Sequence, residues 1–538
     1  MHEEGVNMMH RNKSVDTHRF AMVPRAEIPR AKFRIEHTHK TTFDSGYLIP
    51  VYVDEVLPGD SFSVKMTAFA RLSTPLFPVM DNCYLDSFFF FVPCRLVWDN
   101  WQKFMGEQID PGDSTAYLIP QIDSPLGGHL PLTIYDYFGL PTAGQVASGG
   151  LTKSSALPFR AYNLIYNEWF RDQNLQDSLP VKRDDGPDDH VLYALHRRGK
   201  RHDYFTSCLP WPQKGESVKV PIGNTAPVFG YPNTSPTFRT STSQGTTLGV
   251  DAATNVFTTI NVASDPQQLY WDTPGLYADL AQATSATINQ LRQSFAIQKM
   301  LERDARGGTR YTEIIRAHFG VQSPDARLQR PEYLGGGSTP IITNPVAQTS
   351  ATGSETPLGT LAGMTTALAN GNGFSQSFTE HGYIIGLVSV RADLTYQQGT
   401  RKMWSRRTRP DFYMPVFAHL GEQAVEQKEI YDSGDIIDGA TVFGYQERWA
   451  EYRYHPSRIS GLFKSTSSGT IDPWHLAQRF TYPPSLASTF IEERPPLDRT
   501  LAVGAAANGQ QILFDSFFSS MVTRPMPLYS VPGQIDRF

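Results

Sequence analysis

The densest run of groups able to hold a polyanion is Arg401, Lys402, Trp404, Arg406, Arg407 and Arg409. Cations around an indole suit single-stranded nucleic acid, because guanidinium and ammonium groups meet phosphates while the ring stacks on a base. The same residues would also serve as a salt-bridge patch facing the acidic turns of another copy. A second set, Arg11, Lys13 and Arg19, lies in an N-terminal stretch punctuated by Pro24 and Pro29, where basic residues outnumber acidic ones. It ranks just behind the first as a phosphate-facing candidate.

Other constellations carry less chemistry. Glycoside chemistry needs two carboxylates at a defined separation. Glu447 and Glu451, or Glu492 and Glu493, are the nominees, and the second pair, beside Arg494, reads better as an interface ion-pair cluster. His37-x-His39 offers two metal ligands from one face of a strand, with no third to name. Asp184-Asp185-Gly186-Pro187-Asp188-Asp189 could present oxygens to Ca2+, but it lacks the spacing of an EF-hand loop and reads more simply as a solvated turn. Gly335-Gly336-Gly337 has no GK[ST] after it, so a phosphate loop is rejected. Gly-x-Ser-x-Gly and His-Glu-x-x-His are both absent. The residues therefore call for no cofactor, no metal and no enzymatic role.

The elements that position these groups follow from composition and periodicity. The chain has 538 residues with 39 Pro and 42 Gly, only 19% charged residues and 12% aromatics. Loops plus aromatics suit a β-framework with long excursions, or a surface largely buried against copies of itself. A net charge of −5 excludes a histone-like packer, so polyanion contacts must be local. The three cysteines, Cys83, Cys94 and Cys208, have no CxxC spacing and fit a reducing compartment. No signal-peptide core is evident, and the apolar run Ser87–Pro93 is far too short to span a bilayer.

Residues 1–47 read as an extended basic arm. Residues 48–212 read as the first strands with inserted helices. Ser61–Leu72 alternates cleanly, with Phe62, Val64, Met66, Ala68, Ala70 and Leu72 on one face and only Phe69 out of pattern. Phe88 to Phe91 suit a strand covered on both sides. Helical spacing marks Ile134–Leu140 and Phe159–Phe170. Residues 213–271 turn polar and read as an insertion with short strands, and 335–375 reads as a Gly/Thr-rich loop. Strand character returns within 376–523, at Tyr383–Tyr396, Val442–Tyr454 and Ile512–Val522. The stretch 524–538 reads as an extended tail.

Between the polar stretches lies a helical segment, 272–334. In it Ile288, Leu291 and Phe295 form one apolar stripe, while Ile297, Met300 and Leu301 fall on roughly the opposite side. A helix apolar on two sides needs two partners. Glu302 and Arg306 are spaced to pair. Gly307-Gly308 should end the helix, with Thr309 or Thr312 capping the next one.

Several long blocks carry a resemblance. LRQSFAIQKMLERDARGGTRYTEIIRAHFGV, FIEERPPLDRTLAV, PLFPVMDNCYLDSFFFFVP and RLVWDNWQKFMGE together resemble the major capsid proteins of the Microviridae, above all the gokushovirus branch of these small single-stranded DNA phages. The blocks are in the expected order and spread over most of the chain. The resemblance implies a mainly β fold, a single eight-stranded antiparallel jelly roll with long inserted loops and helices. It implies a T = 1 icosahedral shell around a circular single-stranded DNA genome. The stretch 213–271 corresponds to the family's surface insertion, which forms threefold protrusions and meets the host, with Val228, Phe229, Tyr231, Phe238, Val256 and Phe257 as its contact candidates. Ile297, Met300 and Leu301 are the subunit-packing candidates. Implied partners are further copies of the chain, the DNA genome, internal scaffolding, DNA-pilot and small DNA-binding virion proteins, and a bacterial surface receptor, with no membrane insertion. The implied location is the virion, assembled in the bacterial cytoplasm. The alternative is a carbohydrate-binding or carbohydrate-active jelly-roll protein.

Overall fold

The computed structural model describes residues 29–218, 288–320, 329–349, 358–435, 439–502 and 509–529, and the backbone of short strands between 228 and 278. Ser61–Leu72 builds what its alternation predicts: every second side chain is buried, and Phe69 points outward. Seven further strands join it. In chain order they are β1 (Ala31–Phe43), β2 (Ile49–Val56), β3 (Ser61–Leu72), β4 (Cys83–Pro93), β5 (Glu332–Ala347), β6 (Leu361–Ser377), β7 (Gly382–Ala392) and β8 (Ile512–Arg524). They pair antiparallel throughout in the order β1-β8-β3-β6-β5-β4-β7-β2.

This is the expected jelly roll: one layer is β1, β8, β3 and β6, the other β5, β4, β7 and β2. Strand β5 belongs to both. Its first part pairs with β4, from Glu332↔Phe91 to Ile341↔Cys83, and its last part with β6, from Ile342↔Thr366 to Ala347↔Leu361. Long insertions separate the four N-terminal strands from β5, and β7 from β8.

Two readings are corrected here. Residues 335–375 are not mainly a loop, because they contain most of β5 and β6. Glycine content suggested turns, but the glycines serve close packing. A Cβ on Gly336 would sit 2.0 Å from the Ser87 carbonyl oxygen, and one on Gly337 would sit 2.3 Å from Asn372 Oδ1. Gly335 meets the Gly373 carbonyl in the same way, at 2.5 Å. The arm is also shorter than expected. Ala31–Phe43 pairs along its whole length with β8, because Phe33, Ile35, His37, His39, Thr41 and Phe43 alternate toward the inner face. His37 stacks on Phe518 and packs beside Tyr52, and His39 Nδ1 lies 3.2 Å from the Val51 carbonyl, so both histidines are structural.

Between the layers lies the main core, including Phe62, Met66, Phe89, Phe91, Val388, Phe514 and Phe518. A second core lies outside the β5-β4-β7-β2 layer, under helix α1 (Leu157–Ile165) and the turns around Trp98 and Ile134. Phe89 and Phe91 face the first core while Phe90 faces the second, so the phenylalanine run is covered on both sides. All of β7 is buried for the same reason. The helix spacing read at Ile134–Leu140 and Phe159–Phe170 yields Ile134–Tyr137 and α1, the latter continued by a wider turn, Tyr166–Phe170.

The acidic turn 184–189 is solvated at Asp184, Asp185 and Asp189, as expected, but Asp188 is buried. Arg160, fully buried on α1, donates from Nε to Asp188 Oδ2 at 2.8 Å and from Nη2 to Asp188 Oδ1 at 2.7 Å. Its Nη1 also reaches the Val97 and Asp184 carbonyls, at 3.1 and 2.9 Å. Asp185 accepts from Trp98 Nε1 at 2.7 Å. The turn thus clamps α1 and Trp98 onto the barrel. Burial alone would raise the Asp188 carboxyl, but hydrogen bonds from Arg160 and Tyr193, with the charges of Arg160 and Lys182, hold it below the usual carboxylate range. A carboxyl held low in the fold stabilises it above the unfolded pKa of about 4, and that contribution is lost as pH falls through the lower folded value.

Asp188→Ala should therefore cost about 3–5 kcal/mol, because Arg160 would stay charged and buried without its bidentate partner. The measurement is the Tm and denaturant midpoint of the variant. A loss below about 1 kcal/mol would show that the pair does not clamp the layer.

Candidate functional site

The run 401–409 lies in an outer layer built from the connection between β7 and β8 together with residues 204–208 of the connection between β4 and β5. Its small core contains Tyr204, Phe205, Tyr396, Val425, Ile430, Phe443 and Phe490. Glu422–Glu426 and Val442–Glu447 pair there as a two-stranded ribbon, which shortens the expected strand at Val442–Tyr454 to its first half. Short turns at Lys402–Trp404 and Arg409–Asp411 carry the cations. Asp411 Oδ2 accepts the backbone N–H groups of Arg407 and Thr408, which fixes the second turn and lowers the Asp411 pKa.

The structure divides the cluster into two kinds of residue. Arg406 is enclosed: its Nη2 donates to Glu451 at 3.0 Å, and its guanidinium lies 4.2 Å from the Tyr452 ring centroid. Lys402 donates to the Ala424 carbonyl at 3.0 Å and lies 3.5 Å from Glu429 Oε1. Glu429 is pushed up by burial, and Lys402 opposes that shift. These two cations hold the layer together. Arg407, Arg409 and Trp404 are exposed, Trp404 by 72%, and among the described residues the two arginines have no acidic side-chain partner. Half-buried Arg401 lies 3.2 Å from His455 Nε2. Beside them a cleft of about 390 Å³ opens between Tyr204, Tyr454 and the three residues Arg401, Arg406 and Arg453. Sequence reasoning missed the counter-charges Glu429 and Glu451, which lie 27 and 45 positions away from Lys402 and Arg406 and carry no local signal.

Three of the four glutamates nominated for acid–base chemistry are engaged in ion pairs. Glu451 holds Arg406, Glu447 accepts from Arg453 Nη2 at 2.6 Å, and Glu492 pairs with Arg494. Glu493 is 1% exposed, so it is an internal group and not the exposed half of an interface cluster. Its carboxyl is raised by burial, an effect opposed by Lys200 and Arg198, while burial brings Lys200 down to about 8 despite Glu493. Lys200 also sits 4.4 Å over the Phe490 ring. The block FIEERPPLDR thus has a packing role that ties the 196–202 strip to the barrel, with Lys200 N donating to the Ile491 carbonyl and Glu493 N to the Arg198 carbonyl.

The helical segment forms α2 (Ile288–Arg306) and α3 (Tyr311–Phe319), separated at Gly307-Gly308 as expected. Arg310, and neither threonine, occupies the N-cap position, and Glu313 reaches back to its N–H. The expected Glu302–Arg306 pair does not form. Arg306 instead bonds Glu422 across the chain, and Glu302 accepts from Gln298. The two partners that the two apolar sides of α2 call for are not supplied within the chain: Ala305 is its one buried residue. Ile297 is 38% and Met300 48% exposed, Leu301 is half-buried, and Phe295 on the other side is 65% exposed. The described anchors sit at the C-terminal end, where Arg306 meets Glu422, Asp304 meets His318 at 2.6 Å, and the Leu301 carbonyl accepts from Lys214 N.

Within the insertion, Val228–Gly230, Phe238–Thr240 and Val256–Thr259 are strands, which places Val228, Phe229, Phe238, Val256 and Phe257 on a β-framework. Tyr231, Arg11, Lys13 and Arg19, like the tail beyond 529, lie outside the described residues.

Arg406→Ala should destabilise the chain by about 3 kcal/mol, since it strands Glu451 in a nearly closed site. Arg407→Ala and Arg409→Ala should each stay within about 0.5 kcal/mol. Thermal melts of the three variants check the division between structural and free cations.

Comparison with known proteins agrees with this geometry. The capsid protein VP1 of Bdellovibrio phage phiMH2K is 49% identical over 537 residues, covering 97% of this chain and 98% of that protein. Those of Chlamydia phage 1 and Spiroplasma virus 4 are 43% and 38% identical, each over at least 96% of this chain and 97% of the relative. Among the described residues no helix is long and apolar enough to cross a membrane. The longest helix among the described residues leaves apolar side chains on both sides uncovered. The model of the capsid protein (F protein) family matches residues 21–534: the chain belongs to this family of phage capsid proteins and is a structural component of the virion.

Proposed function

We propose that the chain builds a T = 1 icosahedral shell of the gokushovirus type around a circular single-stranded DNA genome. The observation that carries the assembly reading is the exposure of both apolar sides of α2 in the single subunit. An isolated helix with almost no buried side chain gains little from its own hydrogen bonds and needs tertiary or quaternary packing. Closed symmetry lets the same α2 contact repeat at every position, so weak contacts sum to a stable shell. Ile297, Met300 and Leu301 are the residues assigned to a neighbouring copy or to another element that completes the shell.

In this reading Arg401, Trp404, Arg407 and Arg409, with Arg11, Lys13 and Arg19 of the arm, face the genome. Lys402 and Arg406 support them from beneath. The insertion 213–271 forms the threefold protrusion that meets the bacterial surface. Internal scaffolding, DNA-pilot and small DNA-binding proteins are its virion partners, and assembly takes place in the host cytoplasm.

Ile297→Asp combined with Met300→Asp should leave the subunit folded, because both side chains are exposed before assembly, yet abolish shells in negative-stain micrographs and sedimentation profiles. Normal shell yield from this variant would remove α2 from the assembly contact. Trimming 222–264 to a short turn should preserve folding and particles while lowering attachment to host cells by at least about tenfold, as expected when one interface is removed. Unfolding of the trimmed chain would make the segment core.

A further inference from the structure

The two layers of the jelly roll are finished differently. The β5-β4-β7-β2 layer carries the second core on its outer face. The outer face of β1-β8-β3-β6 presents exposed side chains: Phe69 is 48% exposed on β3, Phe517 41% on β8 and Leu368 66% on β6. Register makes these neighbours. Phe69 lies opposite Leu368 and next to the Thr67↔Phe517 pair, so the two phenyl groups are diagonal across β3 and β8. Such diagonal neighbours are within reach of aromatic side chains.

Charge is interleaved with these rings. Along β3, Lys65 and Arg71 share the outward face with Phe69 and bracket it over about 20 Å. Outward positions of the four strands hold Lys32, Arg34, Lys40, Lys65 and Arg71 against Glu36 and Asp515, which is five cations less two anions, or +3, on a chain of net −5. Arg34 pairs with Glu36 and Lys40 with Asp515, whereas Lys65 and Arg71 have no acidic partner among the described residues. Contacts between protein copies deplete lysine at their centre. A polyanion with flat, apolar bases needs this mixture: rings to stack on and cations beside them.

We propose that the outer face of β1-β8-β3-β6 is a platform for single-stranded nucleic acid, with Phe69 and Phe517 stacking bases and Lys65 and Arg71 holding phosphates. This rests on the reading that the shell encloses a single-stranded genome, and it adds a site separate from the 401–409 cluster. The four-stranded sheet supplies a stiff surface, and its contacts are independent of base sequence because each base has a face to stack.

Ultraviolet cross-linking of intact wild-type particles, followed by peptide mass mapping, should place nucleotide adducts on peptides containing Phe69 and Phe517. Phe69→Ser with Phe517→Ser should still form shells and should reduce those adducts about tenfold, as expected for lost stacking. With unassembled full-length chain and oligo-dT, Lys65→Ala with Arg71→Ala should lower the slope of log Kobs against log salt by about 1.4. Adducts confined to other segments of DNA-filled wild-type particles would overturn the platform and leave the capsid reading intact. So would variants that fold but no longer assemble, which would make the face a contact between copies. Wild-type shells that contain no nucleic acid would overturn the genome reading and the platform together.

Discussion

The subunit depends on how closely two strands approach the backbone of Gly335-Gly336-Gly337. Strand β5 pairs with β4 and then with β6, so it is the seam through which two four-stranded layers become one jelly roll. At the three glycines neighbours crowd in from both sides, with the Ser87 carbonyl on one and Asn372 and Gly373 on the other. A side chain at Gly335 or Gly337 would push β6 and its layer away, and one at Gly336 would force β5 off β4. Gly373 meets the same limit against the Val64 carbonyl, at 2.0 Å, and extends the tight seam to β3. This crowding fixes the spacing in which Phe62, Phe89, Phe374 and Phe518 pack.

Charged groups secure what is added to that frame. Arg160 with Asp188 clamps α1, Arg198 and Arg391 both meet Asp86 on β4, and Arg406 with Glu451 secures the outer layer. Each joins elements far apart in sequence. Buried ion pairs of this sort add little net stability over apolar packing but make mispairing costly, because a buried charge left without its partner is strongly destabilising. They suit a subunit that must present one shape to many identical neighbours.

Under the proposed assembly, the surfaces left uncovered are where other molecules bind. The apolar sides of α2, the free cations beside Trp404 and the outer face of the β1-β8-β3-β6 layer are incomplete in a single chain. Helix α2 is held at its C-terminal end by charge and hydrogen bonds, which fixes where its exposed apolar side chains stand. Pre-positioning of this kind lowers the ordering cost that each contact would otherwise carry.

Much of this was legible in the sequence. The alternation in Ser61–Leu72, the phenylalanine run, the Gly307-Gly308 break and the long blocks shared with phage capsid proteins are local patterns, and local geometry follows from them. Tertiary structure decided the rest. Whether Gly335–Gly337 forms a loop or a seam depends on what lies 2–3 Å away, and those neighbours come from residues near 87 and 373. Whether Arg406 is free or engaged depends on Glu451, 45 positions later. Whether Asp188 is wet or part of a clamp depends on Arg160 across the second core. In every case the sequence determined which groups exist and how often they repeat. Only the fold decided which of them are already paired, because pairing is a property of distance in space.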